Sequence, residues 1–372
     1  MKGFKVSGFS VILIFISGCA VLPLESSTVP QFSSRAAPAV RPAYREAVGV
    51  IHVHSTASDG QLPPEAIARI ANREGLDFLI LTDHNTLKAK IEGKECRTGR
   101  TLLLVGDEIS TADGHYLALR LQKEIPAREA SQWTADQVAS QGGLGFIPHP
   151  FWKRKPWSNP GLRGFTGIEI YNAAEDAFNK NPAMLGAATV LEGSDLSSAH
   201  WIARLDKPLA FWDRTLAEGR QVVGIGGADA HGLVWFGLRL APYGTVFKLV
   251  RNHLLIPGDL TETAVYEALE KGHLFVAHDV VADARGFLFA AVEPAGAVRG
   301  IMGDQVKWEP GLKLYAYLPS PGEIRFLRNG KEVARTSGQE GWLPVAGPGV
   351  YRVEATRKAK PWVYSNPLYV IE

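Results

Sequence analysis

The stretch Leu62–His84, LPPEAIARIANREGLDFLILTDH, decides the fold because it joins an amphipathic helix to a buried strand. Pro64 favours the start of a helix and Gly75 favours its end. Between them, Ile67 and Ala71 lie on one apolar face together with the isoleucine that precedes Ala71. The apolar run that follows is typical of a buried strand, and an apolar run also precedes the helix. The stretch therefore predicts a β-α-β unit.

The same alternation continues downstream. Further apolar runs are TLLLV, LGFIPH, GIEIY and QVVGIGG, and helical candidates such as WTADQVASQG and FWDRTLAEGR precede some of them. Repeated β/α units favour a mostly parallel sheet covered by helices, either open or closed into a barrel. We assign residues 46–286 to this α/β domain.

The pattern changes after about residue 286, where short strands of alternating polarity follow one another. Asn329-Gly330 lies between two of these strands and is a strong hairpin signal. Residues 287–372 are therefore expected to form a small antiparallel β-sandwich.

The N-terminal residues predict export. The chain starts with a short basic segment, which is followed by an apolar stretch too short to span a bilayer comfortably. The sequence ISGC, Ile16–Cys19, comes at the end of this stretch. ISGC resembles the bacterial lipoprotein box, in which the cysteine is lipidated. We expect a signal peptide at 1–18, lipidation of Cys19 and a flexible tether at 19–45, rich in Ser, Pro and Ala. A plain secretory peptide and an uncleaved anchor are the alternatives. The protein would then be exported and attached to the bacterial cell envelope, at the periplasmic face of the outer membrane or at the cell surface.

Composition limits the classes of partner. The chain has 372 residues, 46% hydrophobic and 21% charged, with a formal net charge of +2, so neither wholesale disorder nor a long nucleic acid as partner is expected. Besides Cys19 there is one other cysteine, Cys96. If Cys19 carries lipid, Cys96 has no intramolecular partner, so neither a disulfide framework nor thiolate metal ligation is expected. The expected partners are a small anionic or ester substrate and the membrane, which the lipid anchor would reach. The sequence indicates no protein partner.

Five apolar runs end in metal-ligating residue types. His52 and His54 are two residues apart on a strand and should point to one face. The other four runs end in Asp83-His84, Asp107-Glu108, His149 and Asp229 with His231. Strand C-termini meet at one place in a β/α fold, so these groups should form one cluster. The remaining histidines His200, His253, His273 and His278 are interpreted as structural or surface residues.

Five segments in this order, HVHSTASDG, LTDHN, GDEISTADGHYLAL, IPHP and GADAHG, resemble the polymerase and histidinol phosphatase (PHP) superfamily, and especially its secreted branch related to carbaryl hydrolase. The resemblance covers about residues 48–285, and PWVYSNPLYV near the C-terminus resembles the β-domain that often follows. It implies a distorted seven-stranded (β/α) barrel, similar to a TIM barrel, that holds two to three divalent metal ions at the strand C-termini.

The resemblance also implies the ligand sets. One metal would be held by His52, His54, Glu108 and Asp229; a second by Glu108, His115 and His149; and a third by Asp59, His84 and His231. The alternative for His115 is a supporting role outside the coordination sphere. Asp83 and Asp107 are expected to orient ligands. Zinc, manganese and iron(II) all suit nitrogen and oxygen donors. The residues expected to take part in catalysis are His52, His54, Glu108, Asp229 and His231.

Such a cluster predicts hydrolysis by a metal-bridging hydroxide. The first hypothesis is a phosphoesterase for phosphomonoesters or for nucleotide and oligonucleotide ends, including 5′-3′ exonuclease-like activity. The second is a carbamate or carboxylic ester hydrolase, as in the carbaryl hydrolase branch. The third is a lipid-tethered binding module without catalysis, although closed structural metal sites would not need so many ligands.

The basic triplet Lys153, Arg154 and Lys155 follows His149 and weakly favours phosphate, because cations could contact the non-reacting phosphate oxygens. A solvated basic loop is the alternative. Trp152 and Trp157, which flank the triplet, could stack on a substrate ring or simply pack.

Overall fold

The computed structural model describes residues 44–179, 202–232, 234–235, 238–239 and 241–372. The predicted signal peptide, Cys19, all of the predicted tether before residue 44 and His200 lie outside these residues. Within the described ranges, no helix is both long and apolar enough to cross a membrane.

The described strands are β1 (Arg45–Val53), β2 (Phe78–His84), β3 (Cys96–Thr98), β4 (Thr101–Thr111), β5 (Gly114–Leu119), β6 (Leu144–Ile147), β7 (Gly167–Asn172), β8 (Val223–Ala230), β9 (Val234–Trp235), β10 (Leu238–Arg239), β11 (Arg251–Ile256), β12 (Leu274–Ala277), β13 (Leu288–Val292), β14 (Val298–Ile301), β15 (Gln305–Lys307), β16 (Lys313–Arg328), β17 (Lys331–Pro344), β18 (Gly349–Arg357), β19 (Lys360–Ser365) and β20 (Leu368–Ile371). The described helices are α1 (Pro64–Arg73), α2 (Lys88–Ile91), α3 (Ser131–Ser140), α4 (Ala173–Asn179), α5 (Asp206–Ala217), α6 (Tyr243–Leu249) and α7 (Glu262–Lys271).

Seven strands close into a barrel in the order β1, β2, β4, β5, β6, β7, β8 and back to β1. All neighbouring pairs are parallel except the two that involve β5, which is antiparallel to both β4 and β6. The expected mixed α/β barrel is therefore present. It departs from a strict (β/α)7 arrangement at β5, which follows β4 in a hairpin without an intervening helix.

Alternating residues of β2 show how the barrel is layered. Phe78 and Ile80 belong to an apolar cluster formed by strand residues and closed by α7. Leu79 and Leu81 belong to a second cluster that contains the apolar faces of α1, α3 and α5. Because successive strand residues point to opposite faces, the first cluster fills the barrel and the second lies between barrel and helices.

Helix α1 forms where the sequence predicts it. Pro64 is at its first position and Gly75, with a φ of 73°, follows its end in the left-handed conformation that glycine adopts readily. Ile67 and Ala71 are fully buried, as expected for the apolar face, and the isoleucine at position 70 packs at the edge of the same cluster.

The strands beyond residue 286 pair antiparallel with one another, apart from the parallel pair of β15 and β20. The predicted hairpin is confirmed: Asn329 and Gly330 join β16 to β17 with φ values of 51° and 74°. The sheet runs on into the barrel, because β19 pairs with β12, β12 with β11, and β11 with β1. The domain boundary at 286 stays a prediction.

Two asparagine side chains hydrogen-bond to main-chain groups of β8 at positions where β1 does not pair with it. The side-chain amide of Asn252 accepts a hydrogen bond from the Gly226 N–H at 2.9 Å and donates to its carbonyl at 2.8 Å. Asn366, in the C-terminal region, makes the same pair of bonds with Gly224, both at 2.8 Å. Each amide replaces the main-chain partner that a neighbouring strand would supply.

Candidate metal centre

The nine predicted ligands lie at one rim of the barrel. Most of them are at or just beyond the C-terminal ends of parallel strands, as the sequence predicts. His115 is different because it lies near the start of β5. Since β5 is antiparallel to its neighbours, its N-terminal end lies at the same rim as their C-terminal ends. The reversed direction of β5 therefore explains why His115, at the start of a strand, lies beside ligands that follow the ends of parallel strands.

The carboxylate of Glu108 is the centre of the cluster. It is buried, and its Oε1 faces His115 Nδ1 at 2.8 Å and His149 Nε2 at 3.0 Å. Its Oε2 faces His52 Nε2, His54 Nε2 and His84 Nδ1, at 3.1 to 3.2 Å. A single carboxylate that presents its two oxygens to two different sets of imidazoles has the arrangement of a ligand that bridges two ions.

Asp59 organises a smaller group on the outer side of the rim. Its side chain is 55% exposed, and its oxygens lie 3.4 Å from His231 Nε2, 3.6 Å from His54 Nδ1 and 3.8 Å from His84 Nε2. The two nitrogens of His54 thus face Asp59 on one side and Glu108 on the other.

Four groups of side chains could each hold a metal ion, since within each group one ligand atom per residue lies within 4.8 Å of the others. They are His54 with Asp59, His84 and His231; His52 with His149 and Asp229; His52 with His54 and Glu108; and His84 with Glu108 and His115. These groups overlap strongly with the ligand sets that the resemblance implies. One difference is that His149 is brought beside His52 and Asp229 as well as beside Glu108.

The separations of the ligand atoms are compatible with divalent ions. Two ligand atoms about 2.1 Å from one ion are separated by about 3.0 Å at octahedral angles and about 3.4 Å at tetrahedral angles. The nitrogen–oxygen distances around Glu108 and Asp229 run from 2.8 to 3.5 Å. Within the described part of the chain, several buried imidazole nitrogens of this cluster have no hydrogen-bond partner: Nε2 of His52, both nitrogens of His54, and Nδ1 of His84, His115 and His149.

The electrostatics of the rim favour positive charge. Burial would lower the pKa of His54, but the carboxylates of Asp229 and Glu108 outweigh burial and raise it to about 9. Burial would raise the pKa of Asp59, yet His231 and its neighbours lower it to about 2. The pKa of Glu108 likewise lies well below its ordinary range, because the surrounding imidazoles outweigh its burial. Carboxylates that stay ionised beside buried imidazoles offer the donor types that divalent cations take.

Three of the predicted ligands have left-handed backbone. The φ angles are 67° for His52, 48° for Asp229 and 23° for His149. The pairing of β1 with β8 shifts register between Ile51 and Val53, on either side of His52. His52 and His54 still converge, with ring centroids 5.2 Å apart, but regular strand alternation is not the reason. Non-glycine residues in this conformation store strain and are concentrated at functional sites.

The residue that orients the imidazoles is Glu169, in the middle of β7. Its Oε1 accepts a hydrogen bond from His52 Nδ1 at 2.7 Å, and its Oε2 accepts from the His149 backbone N–H at 2.9 Å. Sequence reasoning assigned this task to Asp83 and Asp107 and missed Glu169. The available signal was a glutamate inside the apolar run GIEIY.

Asp83 and Asp107 have other surroundings. Asp83 accepts hydrogen bonds from the backbone and hydroxyl of Ser55 and from the hydroxyl of Ser58, each at 2.7 Å, and so fixes the turn that carries Asp59. Asp107 is fully buried beside Glu108, and burial raises its pKa to about 8.

The two tryptophans that flank the basic triplet behave differently. Trp152 lies against the cluster, with its ring 5.3 Å from that of His149 and 6.2 Å from that of His115. Trp157 packs against Gly114 and Tyr116 and donates a hydrogen bond to the Asn159 carbonyl at 2.6 Å. Trp152 is thus the one placed to contact a substrate.

Within the triplet, Lys153 and Arg154 are exposed, whereas Lys155 is partly buried. Burial lowers the pKa of Lys155, and the nearby Glu108 carboxylate acts in the opposite direction. Lys155 is therefore a partly buried cation in the neighbourhood of the cluster.

The other described histidines lie outside the cluster. His253 is buried between Glu46 and Asp279, and His273 pairs with Asp304 at 2.8 Å. His278 is buried and its Nδ1 donates to the Leu249 carbonyl at 2.6 Å.

No protein-family model matches the chain. An uncharacterized protein of Methanocaldococcus jannaschii is 31% identical over 116 residues, which is 30% of this chain and 66% of that protein. A 5′-3′ exoribonuclease of Haemophilus influenzae is 38% identical over 88 residues, which is 22% of this chain and 31% of that protein. The chain thus spans just under two thirds of the first relative and less than a third of the second.

Among solved structures, the chain is similar to a two-domain protein of Bacteroides vulgatus described as containing a predicted PHP-like metal-dependent phosphoesterase. The likeness has a TM-score of 0.46 and 16% sequence identity, and covers 91% of this chain and all of that one.

Proposed function

We propose that this protein is a metal-dependent hydrolase of the PHP type that acts on phosphate esters. The observation that carries the proposal is Glu108, whose two carboxylate oxygens face five imidazoles at 2.8 to 3.2 Å. Two or three divalent ions held by this cluster would supply Lewis acidity and lower the pKa of water towards neutrality. Hydrolysis uses both properties.

The residues of the chain have distinct tasks in this proposal. Glu108, Asp229 and Asp59 would contribute the negative charge that the ions require, and the imidazoles would complete the ligand sets without adding charge. In the reaction, water adds across the phosphorus–oxygen ester bond, and the alcohol leaves with a proton. Lys155 would contact phosphate oxygens that do not react, because it is a partly buried cation near the Glu108 carboxylate.

Nucleotides and oligonucleotide ends are the substrates that we favour. The indole of Trp152 lies beside His149 and His115 and offers a flat face to a nucleobase. The relative from Haemophilus influenzae, a 5′-3′ exoribonuclease, supports the same class of substrate. A carbamate or carboxylic ester is the second candidate, because the same indole would also suit an aryl group.

The test combines metal analysis with hydrolysis assays on an aryl phosphate, a phosphodiester, a 5′-phosphorylated oligonucleotide and an aryl carbamate, with zinc, manganese or iron(II) supplied. We expect bound metal and turnover of the phosphate esters. His52→Ala and Asp229→Ala should each abolish activity, while His273→Ala, outside the cluster, should retain it.

Each other outcome has a defined meaning. Unchanged activity in His52→Ala would contradict the cluster as the active site, and turnover of the carbamate alone would favour the second candidate. A protein that binds metal but hydrolyses none of the four substrates would support a non-catalytic binding module.

We also propose that the protein is exported and anchored to the cell envelope by a lipid on Cys19. The support is the sequence ISGC after a short apolar stretch.

A further inference from the structure

Glu169 is a buried carboxylate that is not among the proposed metal ligands. It is 1% exposed and lies on β7, which pairs with β6 and β8. His149 follows the end of β6, and Asp229 is near the end of β8. It accepts hydrogen bonds from His52 Nδ1 at 2.7 Å, from the His149 backbone N–H at 2.9 Å and from Asn172 Nδ2 at 2.9 Å. Burying a carboxylate is costly unless such partners satisfy it.

These bonds connect Glu169 to the three ligands that have left-handed backbone. It binds His52 through the side chain and His149 through the main chain, and Asn172 extends the contact to Asp229 Oδ2 at 3.4 Å. Strained backbone persists only where its surroundings hold it, and Glu169 touches or indirectly reaches all three positions.

The chain also makes room for this carboxylate. Gly227 on β8 lies so close that an added Cβ would overlap the Glu169 side chain. The neighbouring strand therefore needs a glycine at this position for Glu169 to stay where it is.

We infer that Glu169 is a positioning residue that fixes the His52 tautomer and the His149 main chain so that both ligands face the ions. As the acceptor in this hydrogen bond, Glu169 requires His52 to carry its proton on Nδ1. Its Nε2 is then left with a lone pair directed at Glu108 and Asp229. The inference rests on the metal binding proposed above.

Glu169→Gln tests the inference because an amide cannot accept on both sides. If its oxygen faces His52, its NH₂ group faces the His149 N–H; if its oxygen faces His149, its NH₂ group faces His52 and forces the proton onto Nε2. Either orientation disrupts one ligand. We expect zinc affinity, measured on metal-free protein by competition with a chelator, to fall about 10- to 100-fold.

The matched control is Asp77→Asn. Asp77 is also a buried carboxylate, and it accepts a hydrogen bond from the Val48 backbone N–H at 2.9 Å. It precedes β2, at the end of the barrel opposite the cluster. This control should lower the melting temperature while zinc affinity stays at the wild-type value.

A second measurement does not require the Glu169→Gln variant to fold. Long-range ¹H–¹⁵N NMR of the zinc-loaded protein should show the proton on Nδ1 of His52, with the signal assigned by its loss in His52→Gln. A proton on Nε2, or Glu169→Gln with wild-type zinc affinity, would overturn the inference. So would an equal loss of affinity in Asp77→Asn. A wild type that binds no metal would instead overturn the proposed function.

Discussion

The imidazole rings of His54 and His231 are stacked, with centroids 4.1 Å apart and planes inclined by 15°. Two protonated imidazoles would repel each other at this distance. The stack is therefore suited to rings that present lone pairs to an ion, and both rings have a nitrogen within 3.6 Å of Asp59.

Asp59→Asn should weaken the binding of one ion while the ions around Glu108 stay bound. The amide keeps the volume of the side chain but loses the charge that His231 and His84 share. Metal content after dialysis against a weak chelator should fall by one ion per chain. Asp136→Asn, an exposed aspartate on α3, serves as the control. Loss of all ions together would contradict a separate outer group.

Tyr243→Phe should weaken the same outer group without removing a ligand. The Tyr243 hydroxyl lies 2.8 Å from the His54 carbonyl and 3.0 Å from the His231 carbonyl, and it accepts from the Gln61 N–H at 3.1 Å. We expect zinc affinity to fall several-fold and the free energy of unfolding to fall by about 1–2 kcal/mol.

Tyr351→Phe is the control for that experiment. Its hydroxyl donates to the Gly347 carbonyl at 2.8 Å, far along the chain in the C-terminal strands. It should lose similar stability and keep full zinc affinity. Equal affinity losses in both variants would show that the Tyr243 effect is general destabilisation.

Lys155→Ala should raise KM for phosphate substrates about 10-fold, because the ammonium group no longer contacts the phosphate. Lys153→Ala, which removes an exposed cation two residues away, should change KM little. Steady-state kinetics on an aryl phosphate and an aryl ester would separate the two classes of substrate. An equal effect on the ester would show that Lys155 does not recognise phosphate.

His253→Gln should destabilise the protein more at pH 6 than at pH 10. Burial would lower the pKa of His253, but the charges of Asp279 and Glu46 outweigh burial and raise it to about 9. The folded-state pKa is above the unfolded value of about 6.5, so this stabilisation is complete below about pH 6.5 and is lost as pH rises through 9. The difference should be roughly 3 kcal/mol.

Urea unfolding at the two pH values measures this difference. Ile80→Val removes one buried methyl group from the barrel interior, and its cost should be the same at both pH values because no titrating group is changed. A cost of His253→Gln that does not change with pH would contradict the buried charge.

Cys19→Ser should release the protein from membranes, because the hydroxyl cannot take the thioether-linked lipid of the lipoprotein box. Fractionation of cells that express the wild type, Cys19→Ser and Cys96→Ser would check this expectation, with Cys96→Ser as the control. Continued membrane attachment of Cys19→Ser would count against lipidation.

The sequence was informative where local pattern determines position. Strand ends carrying His, Asp and Glu predicted the residues that meet at the rim, and Asn329-Gly330 predicted its hairpin. Glu169 could not be predicted in this way, because a single glutamate in an apolar run gives no sign of the strand that will lie opposite it. The role of Tyr243 depends on its contact with the carbonyl of His54, which lies 189 residues away in the chain.

The position of His115 shows a different limit. The motif around it resembles the family, but its place at the rim depends on the reversed direction of β5. Strand direction is decided by pairing across the whole barrel, so a short segment does not reveal it. The left-handed backbone of His52 likewise coincides with a register shift in the pairing of β1 with β8, which the segment alone does not show.

The amide of Asn366 has a consequence for how the molecule melts. This C-terminal side chain hydrogen-bonds to the N–H and carbonyl of Gly224, and β19 pairs with β12. Disruption of the last strands would therefore leave main-chain N–H and carbonyl groups of β8 and β12 without partners. Loss of one part therefore removes support from the other. We expect residues 44–372 to unfold in a single cooperative transition, and expression of the barrel alone to give an insoluble product.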